Sequence, residues 1–195
     1  MKKLIRTSAC SLLFVLIAPL AGAQDRVGDF ALLDDTGYFH HMAWYDDHAV
    51  VALLVQANGS AATASALPEF MDLKARYDEQ GVQFFLINPL GNQNRDLVRA
   101  EMEAQGVDIP VLMDDSQVVS EALGIDRTGE VLLYDPKRFT VVFRGPVGSQ
   151  LEAAMAAMIA GEPVAVAQVP VTGEPVTYSF KNQELSYVND IAPLI

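Results

Sequence analysis

Thiol sulfur is nearly missing from this chain, which has one cysteine, Cys10, in 195 residues. A lone cysteine excludes an internal disulfide and any metal site built from several thiolates. Cys10 also falls inside a stretch that reads as removable. Lys2, Lys3 and Arg6 form a basic start, residues 12–20 an apolar run, and Ala21-Gly-Ala23 a small-residue cleavage site. Residues 1–23 are therefore expected to be a signal peptide, with the exported chain beginning near Gln24. A lipid-anchoring cysteine would stand at the cleavage site, so Cys10 is expected to leave with the leader. The exported chain would then hold no thiol, although its compartment, the periplasm or the medium, permits disulfides.

Positive charge is scarce as well. Thirteen Lys and Arg face twenty-five Asp and Glu, for a net charge of −12. Leader removal takes three cations and leaves −15. A chain this acidic repels phosphate backbones and anionic lipid, which excludes nucleic acid as an expected partner. Beyond the leader no apolar run is long enough to cross a bilayer, so no membrane association is expected after cleavage. No cofactor is expected, and the length suits one domain with extensions.

What the sequence does hold is centred on residues 49–80. The apolar run Ala49-Val-Val-Ala-Leu-Leu-Val-Gln56 reads as a buried parallel strand. It passes through the small-residue turn Ala57-Asn-Gly-Ser-Ala-Ala-Thr63 into a helical pattern over 65–80, with Pro68 in its first turn and Gly81 as its stop. Strand-to-helix junctions of this kind are where open α/β folds place their chemistry. Ahead of it, 27–33 and 38–42 read as two strands around a glycine-containing turn. After it come a strand at 82–87, a helix at 95–105, a strand at 109–113, a short helix at 117–123, a hairpin of 130–134 with 140–144, and a helix at 151–159. This order predicts an α/β sandwich, a central mixed β-sheet flanked by helices. From Glu162 onward the character changes, and residues 164–176, rich in Val, Ala and Pro without a helical period, read as an extended linker.

In that order, residues 27–160 resemble the redoxin branch of the thioredoxin-like superfamily, related to the alkyl hydroperoxide reductase and thiol-specific antioxidant proteins. The matching pieces include Phe30-Ala-Leu-Leu-Asp34 with Gly37, Asn58-Gly59, Ala66-Leu-Pro68, Gly81-Val-Gln-Phe84, Pro110-Val-Leu-Met-Asp114, Ala122-Leu-Gly124, Asp135-Pro136 and Phe143-Arg-Gly-Pro146. The resemblance implies a thioredoxin-like domain over 24–161 and, at face value, a thiol-dependent antioxidant oxidoreductase. The chain departs from that pattern at the positions the activity needs. Aligned through Asn58-Gly59, the first family cysteine falls on Ser60, the proline after it on Ala61, and the partner cysteine of a Cys-x-x-Cys on Thr63. Where the family usually places a cis-proline, this chain has Thr128-Gly129. Ser60, Thr63 and Gly129 are thus degenerate family positions.

Serine needs a base to act as a nucleophile, and ahead of a helix its commoner role is an N-cap. His40, His41 and His48 could ligate a metal, but adjacent residues on a strand point to opposite faces, and no metal site is expected. The pairs Asp34-Asp35, Asp46-Asp47 and Asp114-Asp115 sit at turns or strand ends, where solvated acids are expected. Met102, Met113, Met155 and Met158 have core spacing. Finally, Tyr187-Val-Asn-Asp-Ile-Ala-Pro-Leu194 is similar to the lead-in to c-type cytochrome domains of exported multidomain proteins, implying that 162–195 leads into a further domain. The expected function is a redoxin-like domain without redox cysteines that docks a protein partner or a downstream cytochrome-type domain. The competing expectation is an antioxidant oxidoreductase working at the Ser60 turn.

Overall fold

The structure, a computed structural model, describes residues 26–178. The leader, Cys10 and the cytochrome-like stretch 187–194 lie outside the described residues. Seven strands form one sheet: β1 (Ala31–Asp34), β2 (Phe39–His41), β3 (Val50–Val55), β4 (Val82–Asn88), β5 (Val111–Met113), β6 (Val131–Asp135) and β7 (Thr140–Gly145). Their order across the sheet is β2-β1-β5-β4-β3-β6-β7. The inner strands β3, β4 and β5 run parallel, and the remaining pairs are antiparallel. The expected mixed sheet flanked by helices is what forms.

The unbroken apolar run of β3 follows from its central place. Side chains alternate across a strand, so a strand covered on both faces needs apolar residues at every position. Val50, Ala52 and Leu54 enter a core with Leu67, Phe70 and Leu73 of α1 (Ala61–Tyr77), Val98 and Met102 of α2 (Arg95–Ala104), and Leu151 and Met155 of α4 (Ser149–Ala160). Val51, Leu53 and Val55 enter a second core on the other face. It is closed by Met42, by Leu123 and Ile125 after α3 (Val118–Ala122), and by Val176. Met102, Met113 and Met155 are buried in the first core and Met158 packs against it, so their spacing is that of packing residues.

Two local expectations differ from the structure. The helix after β3 begins at Ala61 rather than 65, because Ser60 caps it: the Thr63 amide donates to Ser60 Oγ at 3.1 Å. Pro68 therefore lies within α1 instead of its first turn, and has no N–H to offer the Ala64 carbonyl. The acids at turns are also less exposed than expected. Asp34, Asp35 and Asp114 are buried, each accepting backbone hydrogen bonds, from Thr36 and Tyr38, from Val111, and from Ser120 respectively. A carboxylate that ties down turn amides is a structural part of the turn.

The segment after α4 is extended and lies along the domain. The Arg144 amide of β7 donates to the Ala167 carbonyl at 2.9 Å, and the Val169 amide returns to the Arg144 carbonyl at 2.9 Å. Further on, Pro175 pairs antiparallel with Arg127, and Val176 reaches the second core.

Candidate functional site

The carboxyl end of β3 delivers the chain to a tight turn. Gly59 takes a left-handed φ of 75°, and the Ser60 amide donates back to the Ala57 carbonyl at 3.1 Å. A layer of amide side chains holds the turn from behind. Asn88 Nδ2 donates to Gln56 Oε1 at 2.8 Å and to Gln93 Oε1 at 2.6 Å, and Gln56 Nε2 donates to Asn58 Oδ1 at 2.7 Å. The Asn58 amide donates to Gln93 Oε1 at 3.0 Å and the Gly59 amide to Glu101 Oε1 at 3.1 Å. These bonds leave the turn little freedom.

Of the three positions expected from the resemblance to be degenerate, Thr63 and Gly129 meet at the Val55 carbonyl. Thr63 is buried, its hydroxyl receiving the Ala57 amide at 3.3 Å and donating to the Val55 carbonyl at 3.4 Å. The Gly129 amide donates to the same Val55 carbonyl at 2.9 Å. Gly129 has φ 74°, and a Cβ placed there would stand 2.9 Å from Ala62 Cβ, so a side chain would strike the first turn of α1. Ser60 is 9% exposed and faces Thr128 and Glu174.

Glu174 is the residue that sequence reading missed. Its Oε2 accepts from Ser60 Oγ at 2.6 Å and from Thr128 Oγ1, and its Oε1 accepts the Ala61 amide at 3.2 Å. Proton counting orders these contacts. Each hydroxyl has one proton, and a carboxylate is a better acceptor than a hydroxyl, so Ser60 and Thr128 both donate to Glu174. In return, Ser60 accepts the Thr63 amide and Thr128 accepts the Glu174 amide at 3.1 Å. Ser60 and Thr128, 2.9 Å apart, are thus neighbours bridged by the carboxylate. The Ser60 bond above all, with the Thr128 bond next, lowers the Glu174 carboxyl to a pKa of about 2. The positive end of α1 adds to the preference for an anion there.

This arrangement is poor at nucleophilic catalysis. The group bonded to the Ser60 proton is a carboxylate of very low basicity, which cannot draw that proton away. The histidines are engaged elsewhere: His40 with Asp34 at 2.9 Å and Tyr45 at 2.7 Å, His41 with Asp29 at 2.5 Å, and His48 with Asp47 at 2.6 Å. Burial would raise the Asp34 carboxyl, yet bonds from His40, Thr36 and the Tyr38 amide hold it below its ordinary value. Among the described residues, no group of three or more His, Cys, Asp or Glu is placed to hold a metal ion.

A second acid lies just behind the site. Glu130 is 4% exposed, with Oε1 3.5 Å from Arg144 and Oε2 without a hydrogen-bond partner among the described residues. Burial pushes its pKa up to about 7, against the pull of Arg144 and with the push of Asp126. Arg144 also donates to the Leu123 and Gly124 carbonyls, each at 2.8 Å. A groove of about 1020 Å³ opens at the other end of β3, between Gly81, Asp135 and Met158, and Ser60, Thr63, Thr128, Gly129, Glu130 and Glu174 are not among the residues that line it.

Comparison with known proteins gives a family and a fold. The AhpC/TSA family model matches residues 23–147. A hypothetical protein from Sinorhizobium meliloti 1021 is 26% identical, with TM-score 0.69 over 80% of this chain and 94% of its own. A putative thiol:disulfide interchange protein DsbE from Chlorobium tepidum is 18% identical, with TM-score 0.58 over 71% of this chain and 95% of its own. Peroxidoxin BcpB from Mycobacterium tuberculosis is 20% identical, with TM-score 0.54 over 71% of this chain and 91% of its own. The last two likenesses carry the fold alone. No curated protein matches the sequence.

Proposed function

The chain belongs to the AhpC/TSA family of thioredoxin-like redoxins, and we propose that it works within that family as a non-catalytic docking module of an exported redox protein. The observation that carries this reading is the state of Ser60. At the position where relatives keep a thiol, this chain has a hydroxyl that caps α1 and is bound to its own Glu174. A hydroxyl held this way cannot cycle electrons, because reduction by a partner needs a sulfur–sulfur bond to exchange. The leader-like residues 1–23 support export, and among the described residues no helix is long and apolar enough to cross a membrane. The partner in this reading is another protein or a cytochrome-type domain joined downstream.

Family membership favours one rival, an antioxidant oxidoreductase acting at the Ser60 turn. Peroxide and disulfide turnover by the purified exported chain separates the two. The docking reading predicts no turnover above a heat-treated control. Clear turnover that disappears in Ser60→Ala would overturn it.

A further inference from the structure

Residues 173–176 are held in their cleft position by position. Gly173 is required by space, since a Cβ there would stand 1.9 Å from the Thr128 carbonyl oxygen. Glu174 supplies the carboxylate bound by Ser60, Thr128 and the Ala61 amide. Pro175 pairs with Arg127, and Val176 is 9% exposed against Leu123 and Ile125. Main-chain bonds fix the register: the Thr128 amide donates to the Glu174 carbonyl at 3.0 Å, and the Val176 amide to the Asp126 carbonyl at 2.8 Å. Arg127 adds a bond to the Gly173 carbonyl at 3.0 Å. Backbone bonds of this kind supply affinity without sequence preference, whereas the glycine gap, the carboxylate cradle and the apolar seat each select a side chain.

We propose that this cleft is the module's docking site, that it takes an extended protein segment bearing Gly-Glu-Pro-Val or its chemical equivalent, and that residues 173–176 are its resident occupant in cis. The proposal rests on the docking reading above and names the partner class: an extended acidic segment read through one glutamate. Glu174 itself is exposed, so the carboxylate is approachable from solvent. The chain carries the same four residues a second time, at 161–164, where Gly161 closes α4 with φ 70°. A tethered occupant acts at an effective concentration on the order of millimolar, so a free segment competes poorly until the resident one lifts away.

The test uses the full chain and a labelled peptide, Thr-Gly-Glu-Pro-Val-Thr, with a Gln-containing copy as its control. Gly173→Ala forces the resident segment off the Thr128 carbonyl while leaving Ser60, Thr128 and the α1 terminus intact. Glu174→Ala opens the site by a separate route. The expected result is binding to both variants at least tenfold tighter than to the wild type. The Gln peptide should bind at least tenfold weaker than the Glu peptide. A peptide copying residues 160–165 should bind with comparable affinity, and its failure would overturn the four-residue reading. No binding to either variant, or equal binding of the Glu and Gln peptides, would overturn the proposal. Loss of folding in both variants would also overturn it, since the segment would then be a fixed part of the domain. Turnover measured on the same samples reports on the docking reading alone, so the two ideas fail separately.

Discussion

Glu130 should make the domain's stability fall as pH rises through neutrality. Its carboxyl has an ordinary value of 4.5 and is raised to about 7 in the folded protein. The folded state therefore holds the proton more tightly than the unfolded state. The stabilisation is fully present below pH 4.5 and is lost as pH rises through about 7. A shift of this size, at 1.36 kcal/mol per unit, corresponds to about 3 kcal/mol as an upper figure. The cause is burial of a carboxylate with Arg144 3.5 Å from one oxygen and, among the described residues, no hydrogen-bond partner for the other. Glu130→Gln keeps the shape and removes the titration. Urea unfolding of both proteins at pH 5, 6, 7 and 8 isolates the effect, because every other titrating group is shared. The stability difference between variant and wild type should move in the variant's favour across that range, by about 2 to 3 kcal/mol. A difference constant to within about 0.5 kcal/mol, the scatter of an ordinary surface substitution, would refute the reasoning and mean that Glu130 is ionised throughout.

Three further outcomes are expected. Gly129→Ala, which puts a side chain at φ 74° and 2.9 Å from Ala62 Cβ, should cost about 1 to 3 kcal/mol by urea unfolding. Phe70→Ala, which empties a fully buried ring stacked edge-on against Phe84 at 5.3 Å, should cost about 3 to 5 kcal/mol. Glu174 has a folded value of about 2 against an ordinary 4.5, so its contribution is present above pH 4.5 and is lost as pH falls through about 2. Acid titration followed by the amide signals of Ala61 and Thr128 should show a transition near that value, absent in Glu174→Gln.

The sheet was legible because its central strands are unbroken apolar runs, a pattern that only burial on both faces explains. The start of α1 was not, because 57–64 are small residues without a period and Pro68 suggests a first turn; only the Ser60 cap places it. The burial of Asp34, Asp35 and Asp114 was hidden for a similar reason, since a turn acid that solvates and one that binds turn amides have the same sequence. Ser60 was singled out by the family resemblance, yet its setting depends on Glu174, 114 residues away in a stretch with linker composition. Glu130 reads as an ordinary residue ahead of a strand. Its burial and its approach to Arg144, 14 residues on, are tertiary features that no local pattern reveals.

By topology β7 is an outer strand, open to pairing with any other chain that offers a free edge. The lap of residues 167–169 over Arg144 changes that, acting as a selvage that keeps the woven side from catching. A protein shortened to end at Gly161 would lose this cover together with the plug that Val176 puts in the second core. Such a fragment is expected to self-associate in size-exclusion chromatography more than the full chain does, because its β7 edge is bare.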